Sequence, residues 1–171
     1  ITVFEECVRV PLVVWAPGLA PGRSGALVSL ADVPPTLLEM AGVPAPPGFA
    51  RQGRSFDALM RGGPAAGWDR AYSELVYPSK GITYALREGD EKVVHIVRDK
   101  LGRVRWTGLF DLRRDPFEQS NLVPSRAARA GALMQNLLAQ REEHKALAVE
   151  SRSEPLDEEA TEKLRALGYI E

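Results

Sequence analysis

Cysteine is nearly absent from this 171-residue chain, which contains Cys7 alone. One thiol excludes an internal disulfide and any zinc site built from several cysteines, and it leaves the redox compartment undecided. Because free cysteines are usually buried, we expect Cys7 to lie in the interior. Histidine is also scarce, and His95 and His144 lack the spacing of a metal-ligand set, which favours structural or surface roles for both.

Long apolar runs and an excess of charge of one sign are absent as well. Lys and Arg number 22 against 23 Asp and Glu, a balance that gives no reason to expect a nucleic-acid partner. The longest apolar run, Pro11 to Pro17, is far shorter than the roughly 20 residues that cross a bilayer. The sequence therefore predicts no membrane span in this segment, and its 44% of hydrophobic residues is typical of a folded globular protein.

The first 42 residues contain one apolar segment followed by one helix. Cys7 to Pro17 is rich in Val and apolar on both alternate faces, which predicts a strand buried on both sides of a sheet. From Ser29 the apolar positions recur at helical spacing, with Ser29 or Asp32 available as the N-cap and Gly42 at the end. A strand of this kind needs neighbouring strands, so we expect the segment to belong to a larger sheet.

The middle of the chain changes from a loop to a series of strands. Frequent Gly and Pro predict a long irregular loop from Val43 to Gly67, with one helical turn at Phe56 to Met60. Short turn segments then separate four candidate strands, a spacing that favours antiparallel hairpins. These strands are Ala71 to Tyr77, Ile82 to Glu88, Lys92 to Arg98 and Val104 to Leu112.

Two helices are predicted after the strands. Ser125 to Ala146 carries an apolar stripe that can cover one face of the sheet. After a polar stretch, Leu156 to Tyr169 forms a shorter helix with Asp157 as its cap. The predicted order is strand, helix, loop, four-stranded sheet, long helix and short helix.

Four segments occur in a fixed order between Phe4 and Leu122 and together form a pattern. They are Phe4-Glu-Glu-Cys-Val-Arg-Val-Pro-Leu-Val-Val14, Val28-Ser-Leu-Ala-Asp-Val-Pro-Pro-Thr-Leu-Leu-Glu-Met-Ala-Gly-Val43, Gly53-Arg-Ser-Phe56 and Leu109-Phe-Asp-Leu-Arg-Arg-Asp-Pro-Phe-Glu-Gln-Ser-Asn-Leu122. In this order they resemble the carboxy-terminal portion of the sulfatase family, within the alkaline-phosphatase superfamily. The closing Leu164-Arg-Ala-Leu-Gly-Tyr169 is similar to the tail of many bacterial members.

The residues of these segments are typical of folding roles. Asp32 and Thr36 can satisfy amides at the helix start, whereas Asp115 and Asn121 are turn residues that end the last strand. Glu118 is placed to interact with the start of a helix.

The residues that perform sulfatase chemistry are missing from the chain. The resemblance implies a Cys or Ser in a Cys/Ser-x-Pro-x-Arg motif, converted to formylglycine, and a calcium-like divalent cation held by Asp and Asn. Cys7 is followed by Val8-Arg-Val-Pro11, so the motif is absent, as are the family's Asp-Asp and Asp-His-Gly segments. We therefore predict no catalytic residue and no metal site in this chain, and we assign both cofactors to the intact parent.

Four residues are candidates for contact with an anionic substrate. By analogy with the family, loops of the carboxy-terminal subdomain lean against the mouth of the pocket. Arg51 and Arg54 in the long loop, with Tyr77 and Lys80 at the first hairpin, could meet a sulfate because Lys and Arg complement it. Each is also readily explained as part of a solvated loop.

Glu5 and Glu6 lie near the position of the family's last active-site segment. Adjacent carboxylates on an extended chain face opposite ways, so at most one of them is expected to point inward.

The predicted fold class is α/β, with the end of a large mixed sheet and a small subdomain of a four-stranded antiparallel sheet and a packing helix. Residues 1–67 are interpreted as the end of the catalytic α/β domain, residues 68–147 as the antiparallel-sheet subdomain, and residues 148–171 as a short helical tail. The chain begins with Ile1, and structured sequence starts at once, which favours a further portion upstream.

The predicted function is the carboxy-terminal part of a sulfatase-like hydrolase that is inactive alone, with a missing amino-terminal catalytic half as partner and a sulfated small molecule or glycan as the parent's substrate. A phosphodiesterase or phosphonate hydrolase of the same superfamily is the first alternative. A non-catalytic interaction module that docks through the sheet and the charged helix Arg126 to Lys145 is the second. The family resemblance is compatible with a periplasmic or extracellular location, which the sequence leaves undecided.

Overall fold

The computed structural model describes residues 2–45, 53–77, 81–97, 103–147 and 157–167. Within these ranges, short helices precede a block of four strands, and two further helices follow it. The elements are α1 (Glu5–Val8), a 3-10 turn (Leu30–Asp32), α2 (Val33–Met40), α3 (Asp57–Met60), β1 (Arg70–Tyr77), β2 (Gly81–Glu88), β3 (Glu91–Val97), β4 (Val104–Asp111), α4 (Ala127–Ala146) and α5 (Glu158–Ala166).

The four strands form one antiparallel sheet in the order β1-β2-β3-β4. This confirms the predicted sheet, and each strand lies within one residue of its predicted bounds. The tight turn between β2 and β3 contains Gly89 at φ +59°, a conformation that glycine adopts without steric cost. Residues 78–80 and 98–102, where the other two hairpin turns were predicted, lie outside the described residues.

One face of the sheet packs against α4. Tyr84, Leu86, Val93 and Leu109 from the strands are buried against apolar side chains of the helix, Ala130, Leu133 and Leu137. Full burial stabilises a side chain of this size by about 1.5–3 kcal/mol relative to exposure. The predicted packing helix is confirmed, although it begins at Ala127, two residues later than expected.

The opposite face of the sheet is covered by the start of the chain. Val3 is buried there with Ala85, Val94 and Phe110. Phe4 packs edge-on against the rings of Trp106 and Phe110, with centroid distances of 6.4 and 6.0 Å. The sheet is therefore sandwiched between α4 and the segment that contains α1.

The loop after β4 folds back along the outer edge of that strand. The Asn121 amide accepts a hydrogen bond from Leu109 N (3.1 Å) and donates one to the Thr107 carbonyl (3.0 Å). Leu122 N donates to the Leu109 carbonyl (2.8 Å), and Asp115 N donates to the Asp111 carbonyl (2.7 Å). The turn roles predicted for Asp115 and Asn121 are confirmed, and they extend to the edge of the sheet.

Two predictions for the first segment are wrong. Residues 9–16 form neither strand nor helix, and Val13 and Trp15 are 89% and 87% exposed. A Val-rich segment forms a buried strand only beside other strands, and the described part of the chain offers none there. Cys7 is exposed as well, because the single turn of α1 directs Phe4 and Val8 towards the sheet and Cys7 away from it.

Among the described residues, no helix has the length and apolar character required to cross a membrane.

Candidate functional site

The start of α2 is held by a reciprocal cap. Asp32 Oδ2 accepts a hydrogen bond from Ser29 N (2.7 Å), and Ser29 Oγ accepts one from Ala31 N (3.3 Å). Both candidates for the N-cap therefore act together, which is the capping-box arrangement. α2 ends at Met40, and Gly42, which was predicted to close the helix, follows with a φ of +65°.

The same capping residues also hold the loop segment Gly53 to Phe56. Asp32 Oδ1 accepts a hydrogen bond from Arg54 N (2.8 Å), and Thr36 Oγ1 accepts one from Phe56 N (3.0 Å). Gly53 passes so close to the helix start that a Cβ atom would lie 1.9 Å from the Ala31 carbonyl oxygen. The segments Val28 to Val43 and Gly53 to Phe56, both part of the sulfatase-like pattern, are therefore in direct contact. Local capping rules do not predict this contact.

Arg54 is the one candidate substrate residue whose side chain the structure describes. It is exposed, its guanidinium carbon lies 3.6 Å from the centroid of the Trp68 ring, and it donates a hydrogen bond to the Gly67 carbonyl. In the described ranges no carboxylate pairs with it. Arg51 and Lys80 lie outside the described residues, and for Tyr77 the backbone alone, at the end of β1, is described.

Arg54 lines an open groove of about 750 Å³ between the 3-10 turn, the start of β1 and the last turns of α4. On the far side, the Arg141 guanidinium lies 4.7 Å from the centroid of the Tyr84 ring. The His144 ring meets the Tyr72 ring edge-on at 4.7 Å. Arg54 and Arg141 therefore face the groove together with Tyr72, and the two guanidinium groups suit an anionic ligand.

Two other polar groups of the groove already have partners. The Tyr72 hydroxyl donates a hydrogen bond to Glu74 (2.8 Å), and burial, with help from Glu74, raises the pKa of that hydroxyl. The Asp32 carboxylate is occupied by two backbone amides. Tyr72 and Asp32 are therefore structural members of the groove.

His95 lies in β3 with Nδ1 at 2.9 Å from Thr107 Oγ1 on β4. Burial lowers the pKa of His95, and the positive charge of Arg141 lowers it further. In the part of the chain that the structure describes, no group of three or more His, Cys, Asp or Glu side chains could hold a metal ion.

A second polar cluster lies beneath α1, on the opposite face of the sheet. We call Glu5, Arg87, Lys92 and Glu118 the buried ion cluster. Lys92 Nζ lies 3.0 Å from Glu5 Oε1 and 3.0 Å from Glu118 Oε1, and Arg87 Nη1 lies 2.9 Å from Glu5 Oε2. Glu118 also accepts a hydrogen bond from Glu5 N in the first turn of α1, so its predicted role at a helix start is confirmed.

The sequence analysis predicted part of this cluster. It predicted that at most one of the adjacent carboxylates Glu5 and Glu6 points inward, and Glu5 does so while Glu6 is exposed. The two side chains diverge because they lie on a helical turn, whereas the prediction assumed an extended chain. Lys92 was missed, although it is 1% exposed. The signal was its alternation with Val94 and Ile96, which places Lys92 on the same inward face of β3.

Similarity to known proteins decides the family. A sequence profile of the family described as "N-sulphoglucosamine sulphohydrolase, C-terminal" matches residues 2–146. The chain belongs to this family. One relative is choline-sulfatase of Rhizobium meliloti (strain 1021). It is 33% identical to this chain over 125 residues, which cover 70% of the chain and 22% of that protein.

Solved structures agree with this assignment to the sulfatase family. One protein, solved with its substrate D-glucosamine-2-N,6-O-disulfate, has a TM-score of 0.56 and 27% identity over 71% of the chain and 26% of its own length. Phosphonate monoester hydrolase of Agrobacterium radiobacter has a TM-score of 0.53 and 25% identity over 68% of the chain and 25% of its own length. The chain spans about a quarter of the length of each.

The described residues of this sulfatase family chain do not fit a formylglycine or metal site. Cys7 is exposed on α1 and followed by Val8-Arg-Val-Pro11, without the modification motif. No described cluster offers the several oxygen ligands that a hard cation requires. We therefore assign no step of the chemistry to this chain.

Proposed function

We propose that the chain is the carboxy-terminal part of an enzyme that hydrolyses sulfate esters, and that it completes the enzyme's surface without supplying catalytic groups. The profile match over residues 2–146 carries the proposal. A choline-sulfatase, of which the chain spans 22%, is among its relatives. Formylglycine and a calcium-like divalent cation would belong to the remaining part of such an enzyme.

The partner of this chain is the amino-terminal catalytic portion of the same enzyme. The apolar segment, which comprises Val10, Leu12, Val13, Val14 and Trp15, supports this assignment because it is exposed along its whole length. Contiguous exposed apolar surface is typical of an interface that another chain or domain covers. A strand of the catalytic sheet would pair with this segment, and residues 1–67 would then complete the catalytic domain while residues 68–147 form the adjoining subdomain.

Arg54 is the residue that we propose to contact the anionic group of the substrate, with Arg51, Tyr77 and Lys80 as further candidates. Its exposure, and the lack of a carboxylate partner among the described residues, leave the guanidinium available. A guanidinium complements a tetrahedral oxyanion with two parallel hydrogen bonds. A related solved structure contains a disulfated glucosamine, which is a substrate of this chemical class.

Hydrolysis of a phosphonate monoester is the second candidate function. The likeness to the Agrobacterium radiobacter enzyme supports it, but the family profile and the curated relative both support a sulfatase. The two activities share a scaffold and differ in the catalytic portion.

The test compares this 171-residue chain with the complete product of its gene on a chromogenic aryl sulfate and an aryl phosphonate monoester, each with added calcium. We expect turnover of the sulfate ester by the complete product and none by the chain alone. Metal-dependent turnover by the chain alone would overturn the non-catalytic role. A preference of the complete product for the phosphonate would select the second candidate.

The role of Arg54 is tested in the complete product. We expect Arg54→Ala to raise KM for the sulfate ester about tenfold or more, as the loss of a charged hydrogen bond does, with little change in kcat. Arg61→Ala is the matched control, because Arg61 is a nearby exposed arginine that already pairs with Asp57 at 2.7 Å. An equal effect of both variants would contradict a specific contact by Arg54.

A further inference from the structure

The buried ion cluster joins three parts of the chain that are distant in sequence. Glu5 belongs to α1, Arg87 and Lys92 belong to β2 and β3, and Glu118 lies in the loop after β4. We propose that Lys92 is a positioning residue that fixes α1 on the sheet and thereby sets the direction of the apolar segment. The inference stands on this chain alone and does not depend on the proposed enzymatic activity.

The contacts of Lys92 converge on one residue of α1. The ammonium group lies 3.0 Å from Glu5 Oε1 and 3.0 Å from Glu118 Oε1. The second oxygen of Glu118 accepts the backbone N–H of Glu5. Arg87 holds the other oxygen of Glu5 at 2.9 Å. Glu5 is thus held by both its side chain and its backbone.

Burial makes this arrangement specific. The Lys92 and Glu118 side chains are almost completely removed from solvent, and a buried charge without a partner is strongly unfavourable. Two carboxylates and two cations balance within the cluster. Any displacement of α1 would remove Glu5 from both Arg87 and Lys92, so the cluster tolerates one position of α1.

The position of Glu5 determines where the apolar segment begins. Arg9 N donates a hydrogen bond to the Glu5 carbonyl (2.9 Å) at the end of α1. Val10, the first residue of the apolar segment, follows immediately. One helical turn therefore connects the cluster to the segment, and Lys92 determines where that segment leaves the sheet.

Cys7 provides a local probe of this role, since it is the single cysteine and is exposed on α1. A nitroxide attached to Cys7 of the 171-residue chain reports the mobility of α1. We expect Lys92→Met to increase the mobility of the label and to accelerate amide exchange in α1 about tenfold or more, the effect of losing a charged hydrogen bond on a local opening. The far-UV circular dichroism and the protected amides of β2 to β4 should persist.

Three further variants make the test decisive. Lys92→Arg keeps the charge and should restore most of the wild-type label spectrum. Arg129→Gln breaks the pair between Arg129 and Glu91 (2.6 Å) on the other face of the sheet and should leave the label unchanged. Glu118→Gln removes one charge of the cluster with little change in shape, and it should mobilise α1 even if Lys92→Met does not fold.

Two results would overturn the proposal. One is a folded Lys92→Met or Glu118→Gln protein with the wild-type label spectrum and unchanged exchange in α1. The other is global unfolding of both variants, because the cluster would then support the whole core and not the position of α1.

Discussion

The sheet region, residues 70–146, and the amino-terminal region, residues 2–45, contrast in where they place their apolar side chains. In the sheet region the large apolar residues of the strands meet those of α4 and are buried. In the amino-terminal region, Val3 is the one apolar residue that is buried, whereas Asp32 and Thr36 are buried polar residues. One face of the sheet finds its packing partner within the sheet region, in α4. The amino-terminal region adds its first few apolar residues to the opposite face, but it is otherwise held by hydrogen bonds and ion pairs, and its apolar segment stays exposed.

The largest expected effect lies in the core of the sheet region. Leu137→Ala removes a fully buried side chain between α4 and the sheet and should lower the free energy of unfolding by about 2–5 kcal/mol. Leu138→Ala is the control, because the adjacent Leu138 is 43% exposed and its truncation should cost no more than about 1 kcal/mol. Urea unfolding measures both, and equal effects would mean that α4 does not pack as described.

The next effect tests whether backbone contacts hold the amino-terminal region together. Gly53→Ala places a Cβ atom against the Ala31 carbonyl and should destabilise the chain by about 1–3 kcal/mol, as overpacking does. Gly131→Ala is the matched control, since a Cβ there meets open space in α4 and should stabilise by about 0.5–1 kcal/mol. Thermal unfolding of the two variants should move in opposite directions, and a neutral Gly53→Ala would disprove the close approach.

A smaller effect is expected for the ion pairs on the surface of the sheet region. Arg129 lies 2.6 Å from Glu91 and 3.3 Å from Glu88, and its side chain is partly exposed. Arg129→Gln should cost about 0.2–1 kcal/mol, and salt should reduce the difference because solvent ions screen such pairs. A cost that does not change between low and high salt in urea unfolding would contradict this surface character.

The smallest effect on stability is expected in the apolar segment. Val13→Thr with Trp15→Gln should change the free energy of unfolding by at most about 0.5 kcal/mol, because both side chains are exposed. The same double variant should reduce concentration-dependent association, which sedimentation measures, since it removes apolar surface. A large loss of stability would show that the segment packs within the chain.

The sheet region could be predicted from sequence because its signals are local. Short links, alternating apolar positions and turn residues such as Gly89 define hairpins without any knowledge of distant residues. The caps Ser29, Asp32 and Asp157 were identified for the same reason, and Asp157 accepts a hydrogen bond from Ala160 N at 2.7 Å. The sulfatase family was also predictable, because its motifs are contiguous segments.

The amino-terminal region was harder to predict because its structure depends on distant contacts. The segment Val10 to Trp15 has the composition of a buried strand, but composition does not provide the neighbouring strands. Asp32 was assigned to the cap, yet its bond to Arg54 N spans 22 positions. Lys92 was missed because a charged residue is rarely assigned to a buried face. Its partners Glu5 and Glu118 are distant in sequence and come close to it only in the folded chain.

Asn121 and the loop after β4 determine at which edge of the sheet a further strand can be added. The outward-facing carbonyls of Thr107, Leu109 and Asp111 and the N–H of Leu109 already have partners in that loop, so the loop blocks a further strand from pairing with this edge of β4. Edge strands with unpaired backbone groups are the sites at which another chain can add a strand. Among the described strands, β1 is bonded to β2 alone. The two edges of the sheet therefore differ: the β4 edge is covered by its own loop, and a further strand can pair at the β1 edge.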